Sequence, residues 1–177
     1  MRRLVIIDGS NFYHKAKVLA PNIHFSTFNY RKLFEDIAGS SQISIEYCVG
    51  EIRLNKLADE KARSMYAGQQ TLFYYLQKQR IVVKKGFMLK NQGVYHEKGV
   101  DVRIAIDIVR GALKDEYDTC HVVSSDSDIL PAIRDAMDVG KRVVYVAFEG
   151  SMVSRALAIN CSYTKFITKS MLESCAV

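Results

Sequence analysis

No apolar run in the sequence approaches the roughly 20 residues that a membrane-spanning helix needs. The amino-terminal Met-Arg-Arg-Leu-Val-Ile-Ile-Asp carries only a short hydrophobic stretch, without a small-residue cleavage site. These absences lead to the expectation of a soluble, cytoplasmic protein with no membrane partner. Cysteine is sparse and scattered: Cys48, Cys120, Cys161 and Cys175 form no Cys-x-x-Cys pair, which argues against a zinc ribbon or a disulfide framework. The first three lie in apolar segments, where a free thiol packs as a small hydrophobe. His14, His24, His96 and His121 show no paired metal-ligand spacing either. The chain has no Gly-x-x-x-x-Gly-Lys-Ser/Thr loop, no Gly-x-Gly-x-x-Gly and no Gly-x-Ser-x-Gly elbow. Nucleotide triphosphate hydrolysis, dinucleotide redox chemistry and serine-nucleophile hydrolysis are therefore disfavoured. There is no internal repeat, linker or low-complexity segment.

What is present is a chain of 177 residues, 49% hydrophobic, long enough for one well-buried core and short for two. A single domain over residues 1–168 with a tail over 169–177 is expected. The net charge of +6 is unevenly placed. Arg53, Lys56, Lys61, Arg63, Lys78, Arg80, Lys84, Lys85 and Lys90, set against Asp59 and Glu60, make the Arg53 to Lys90 segment +7 and leave the rest of the chain −1. A basic segment beside an acid-bearing remainder suits a polyanion-binding metal site. A solvated helix face explains the same residues equally simply.

Apolar β-branched runs alternate with helical periodicity along the chain. Arg3 to Ile7, Ile43 to Val49, Ile81 to Lys85, Cys120 to Val123, Val143 to Phe148 and Ser162 to Ile167 read as strands. Helices are expected from Asp8-Gly9-Ser10-Asn11 to about Val18, over Phe28 to Ala38, Asp59 to Gln79 and Val100 to about Lys114, from Ser127 to about Val139, and over Met152 to Asn160. Ser10 or Asn11 is expected to cap the first helix and Ser151 the last. Gly86 to Glu97 reads as a hairpin turning at Asn91-Gln92-Gly93 and carrying Lys85, Lys90 and Lys98 beside the substrate. Tyr74 and Tyr75 can stack on bases, although aromatics at helical spacing usually serve the core. Alternation of this kind implies a three-layer α/β/α sandwich with a mostly parallel central sheet.

In such a sheet, ligands bind beyond the carboxyl ends of the strands. Asp8 and Asp126 stand at equivalent strand ends, and Asp101 and Asp128 in the first turns of the following helices. Burying Asp8 beside a core strand is costly unless it is partnered. Ser125 and Asp128 also resemble a capping box with Asp in place of Glu, and the helix dipole alone favours acids there. Gathered together, the aspartates would repel one another until a hard divalent cation, Mg²⁺ or Mn²⁺, neutralised them. Asp107 lies six residues beyond Asp101, about 240° further round the helix, and is expected to support the structure rather than the ion. Lys98, before Gly99, can meet a phosphate or stand free as a loop lysine.

Three ordered motifs together resemble the NYN domain signature, and most nearly the bacterial LabA-like group of the PIN-like nuclease superfamily. They are Asp8-Gly-Ser-Asn11, Lys98-Gly-Val-Asp101 with Asp107, and Ser124-Ser-Asp-Ser-Asp128 followed by Ile-Leu-Pro, joined by Gly140-Lys-x-Val143. The likeness spans nearly the whole chain; Ser125 departs from the family's more usual glycine. The resemblance implies a PIN-like fold, a divalent-metal site and ribonuclease activity. Asp8, Asp101, Asp126 and Asp128 match its acidic positions, with Asn11 as the orienting asparagine. Ser10 and Ser124 stand beside the acids, and Arg53, Lys85, Lys90 and Lys98 are the candidate RNA contacts. A regulatory RNA-binding module that does not cut is the alternative, and a phosphatase acting on small esters a third. RNA is the expected partner; a homodimer is left open.

Overall fold

A computed structural model describes residues 1–54, 59–91 and 94–177, the side chains of residues 90, 91, 94 and 95 excepted. The sheet is built from β1 (Arg3–Asp8), β2 (Ile43–Glu51), β3 (Val82–Asn91), β4 (Val94–Lys98), β5 (Thr119–Val123), β6 (Arg142–Phe148) and β7 (Tyr163–Ile167). The helices are α1 (Gly9–Leu19), α2 (Tyr30–Ala38), α3 (Glu60–Lys78), α4 (Val100–Leu113), α5 (Leu130–Asp138), α6 (Arg155–Asn160) and α7 (Lys169–Ser174). Strand order is β4-β3-β2-β1-β5-β6-β7, all parallel except β4, which returns antiparallel along β3. The chain moves outward from β1 through β2 and β3, then recrosses by α4 to β5 on the other side of β1. The order therefore reverses between β1 and β5, the point at which open α/β sheets form a crevice.

The central strands are buried on both sides, as their unbroken apolar runs require. Alternate residues feed two cores, because successive side chains of a strand point to opposite faces. Val5, Ile7, Val144, Val146 and Phe148 join Phe12, Leu33, Phe34 and Phe73 on one face. Ile6, Val143, Tyr145 and Ala147 join Ile104, Ile108, Ile133 and Leu157 on the other. Phe12 is the hub of the first core, its ring centroid 5.3–6.3 Å from those of Phe25, Phe28, Tyr30, Phe34 and Phe148.

Several local expectations are corrected. Asp8 caps α1, accepting the Asn11 amide at 3.0 Å, in place of Ser10 or Asn11. Helix α6 begins at Arg155 under Ser154, three residues after the expected start at Met152, while the Ser151 hydroxyl donates to the Phe148 carbonyl. The last residues contain α7, capped by Thr168, with Leu172 and Cys175 buried in the first core. Tyr74 is exposed and lies under the Lys78 ammonium instead of in the core. All four cysteines are free thiols.

Candidate functional site

Every strand end flanking the reversal supplies a polar group. Strand β1 delivers Asp8 into the crevice, 7% exposed. Its Oδ1 accepts the Asn11 amide and its Oδ2 accepts the Ser124 hydroxyl at 3.0 Å. Burial pushes the Asp8 carboxyl up from 3.8 to about 6; the two hydrogen bonds oppose this, and the charges of Glu97 and Asp101 add to it. After β5, the Asp126 amide donates to Ser124 Oγ at 3.1 Å, and Asp126 Oδ1 accepts the Asp128 amide at 2.9 Å. Asp126, in place of the expected Ser125, is therefore the cap of the 3₁₀ turn Ser127–Ile129 that leads into α5. Capping occupies only one of its two oxygens. Ser125 turns its hydroxyl to the Asn11 amide group, which donates to it at 2.9 Å, tying α1 to the end of β5.

Asp101 enters from the other side of the crevice. Gly99, at φ +78°, takes the left-handed conformation that lets β4 break directly into α4, which places Asp101 in the first helical turn. Its carboxyl is raised by partial burial and then by the charges of Asp126, Glu97 and Asp128. Each carboxylate of the set thus lies within electrostatic reach of others. Asp101 and Asp128 accept no hydrogen bond among the described residues.

One member of the cluster carries no mark in the sequence. Glu97, on β4, accepts the Ser10 hydroxyl with one oxygen and the Gly50 amide with the other. It heads the charges that raise Asp8 and also raises Asp101. Gly50 is in turn fixed by Gln69 of α3, which donates to its carbonyl and accepts the Ile52 amide, both at 2.8 Å. The only signal in the sequence is position: Glu97 lies four residues before Asp101, on a strand whose pairing no local pattern specifies.

Asp107 does not join this group. It accepts Arg103 at 2.7 Å, with Lys84 3.7 Å away, and lines a cleft at the opposite edge of the sheet with Met1, Arg3 and Ser44. The candidate basic contacts also separate. Arg53 and Lys85 both bind Glu51, at 3.2 and 2.6 Å, one residue beyond the Gly50 that holds Glu97. Lys98 is exposed at the end of β4. Lys56 and the side chain of Lys90 lie outside the described residues.

Among the described residues, none of Asp8, Glu97, Asp101, Asp126 and Asp128 pairs with a lysine or arginine. Nor, among the described residues, do three His, Cys, Asp or Glu side chains stand as a ready metal-ligand group. The fit to a cation therefore rests on donor chemistry: an all-oxygen set in which neighbouring charges raise Asp8 and Asp101, and which lacks an internal counter-charge, suits a hard divalent ion.

These features define an α/β protein with a rim of uncompensated carboxylates at the switch point of its sheet. The NYN domain model matches residues 2–171, and the chain belongs to the NYN domain family. No curated protein matches it. Among solved structures it is similar to a protein of unknown function from Vibrio parahaemolyticus. That likeness has a TM-score of 0.65 and 17% identity over 94% of this chain and 92% of that one, and it shows the fold. A weaker likeness, TM-score 0.42 and 18% identity over 81% of this chain and 55% of the other, is to T5 5′-exonuclease with divalent zinc ions bound. Among the described residues no helix is long and apolar enough to cross a membrane.

Proposed function

We propose that the protein is a divalent-metal-dependent endoribonuclease, a PIN-like three-layer α/β/α sandwich of the LabA-like kind. The observation that carries this reading is that Asp8 and Asp101 feel the charges of Glu97, Asp126 and Asp128, while among the described residues none of the five pairs with a lysine or arginine. Clustered acids that no lysine or arginine neutralises are costly to hold in the folded protein, and a site that binds a cation for phosphate chemistry accounts for that cost. Asp8, Asp101, Asp126 and Asp128 would hold Mg²⁺ or Mn²⁺. Such an ion supplies charge neutralisation at a phosphodiester and an acidified water.

The chain's own groups have separable roles in this reading. Asp8 is ionised above about pH 6, and the Ser124 hydroxyl and Asn11 amide fix its direction. Asn11 ties the start of α1 to Ser125, which links the ends of β1 and β5 that carry Asp8 and Asp126. Glu97 contributes negative charge from the β3–β4 hairpin and holds Ser10 in place. Arg53, Lys85 and Lys98 would meet the phosphates on either side of the reacting one.

The test is cleavage of mixed RNA with Mn²⁺ or Mg²⁺, comparing wild type with Asp126→Asn and Asp101→Asn. Cleavage by wild type and its loss in both variants supports the assignment; equal activity in all three rejects it. The absence of a ready three-ligand group among the described residues favours a second reading, a regulatory RNA-binding module of the same fold. Salt-sensitive RNA binding with no cleavage under any divalent metal would establish that one.

A further inference from the structure

Beside the acidic rim lies a cleft of about 500 Å³ that the reading above does not use. It opens between α1 and α3 over the end of β2 and shares Ser10 and Gly50 with the rim, the two residues that bind Glu97. Its walls are of a different character. Tyr13, Tyr47, Met65, Leu72 and Met88 line it, giving aromatic and thioether surface next to a polar edge.

We infer that this cleft takes an unpaired nucleobase of the bound strand, with Tyr13 as the ring on which the base stacks. The inference rests on the nucleic-acid reading of the neighbouring rim. Tyr13 is held edge-on against Phe25 and His14, at 6.3 and 5.7 Å, yet remains 45% exposed. Gly68 occupies the middle of α3, where almost any other residue would favour the helix. A Cβ there would meet nothing within 4 Å. A glycine facing open space costs helix stability and leaves the cleft clear.

The chemistry of the lining selects the occupant. Lys17 has its ammonium committed to the carbonyls of Pro21 and Ile23, both at 2.8 Å. It therefore offers a poor anchor for an anion. A flat, uncharged aromatic ligand suits the walls, and Ser10, His14 and His24 supply hydrogen-bonding groups for its edge. Gln69, 9% exposed, clamps Gly50 and Ile52 and keeps the mouth of the cleft in register with the acids. A strand whose phosphate lies at the carboxylates thus has a neighbouring base within reach of Tyr13.

The test is binding of a fluorescent oligouridylate in EDTA, where nothing is cut, against an oligomer of equal length with abasic riboses. Wild type should prefer the base-bearing strand. Tyr13→Ala should weaken that binding about tenfold and Tyr13→Phe by less than about twofold, since stacking needs the ring and not the hydroxyl. Gly68→Leu should weaken it by filling the cleft from a position where a Cβ meets nothing within 4 Å, and keeps the test valid should Tyr13→Ala fold poorly. Binding of the abasic strand should be unchanged in every variant. Equal wild-type affinity for both strands, or base binding by Tyr13→Ala and Gly68→Leu equal to wild type, would overturn the inference. Failure of the nuclease reading looks different, as base-dependent binding that persists while no metal supports cleavage.

Discussion

Replacing Asp8 by Asn should stabilise the protein at neutral pH. Burial raises the Asp8 carboxyl from 3.8 to about 6, so between those values the folded protein holds a proton that the unfolded chain has released. The stability associated with Asp8 is fully present below about pH 3.8 and is lost as the pH rises through 6. The span corresponds to about 3 kcal/mol at pH 8. Asn keeps an oxygen for the Asn11 amide and can donate to Ser124 Oγ, whose hydroxyl turns to accept, so the neutral isostere should recover about 2–3 kcal/mol. For a chain of this size that is about 5–10 °C in Tm. His121 complicates the wild-type curve. Burial lowers it from 6.5 to about 4, so its contribution is present above pH 6.5 and lost as the pH falls towards 4, opposite in sign and over nearly the same range. The wild-type profile alone therefore mixes opposed contributions, and the difference between Asp8→Asn and wild type isolates Asp8. Urea denaturation in EDTA from pH 4 to 8 should give a difference near zero at pH 4, growing to a plateau above pH 7 with unchanged m-values. A variant less stable than wild type at pH 8, or an offset independent of pH, would refute the reasoning.

Glu97→Gln should keep the Gly50 hydrogen bond but remove the larger of the two charges that raise Asp8, so the Asp8 midpoint followed by carboxyl-carbon NMR should fall below 6. A midpoint that stays or rises would separate Glu97 from the cluster. Gly68→Ala meets nothing within 4 Å and should raise stability by about 0.5–1 kcal/mol in thermal melts; a loss would mean that position 68 does not face open space. Phe12→Ala empties the hub of the aromatic core and should cost about 3–5 kcal/mol by denaturant titration.

The strands that build the crevice were legible because burial on both faces demands unbroken apolar runs, and β1, β5 and β6 have them. Asp8, Asp101, Asp126 and Asp128 were legible because strand ends and helix starts are places the alternation itself specifies. The capping assignments failed for a local reason. Asp and Ser are comparable acceptors, and only the actual turn shows that Asp8 and Asp126 cap while Ser124 bridges to the end of β1 and Ser125 to Asn11 of α1. Glu97 was missed because its partners, Ser10 and Gly50, lie 87 and 47 residues away in sequence. The basic segment divides for a geometric reason. Lys84 and Lys85 are adjacent in sequence, but strand alternation sends them to opposite faces: Lys84 goes to Glu46 and Asp107, Lys85 to Glu51 beneath the rim.

The most direct measurement is Mn²⁺ titration followed by electron paramagnetic resonance, for wild type, Asp126→Asn and Asp101→Asn at pH 7.5. One ion bound by wild type, with affinity lost in each variant and weakened as the pH falls through 6, is the predicted result. Wild type that binds no Mn²⁺, or variants that bind it as tightly as wild type, would contradict a cation site at the carboxylate rim.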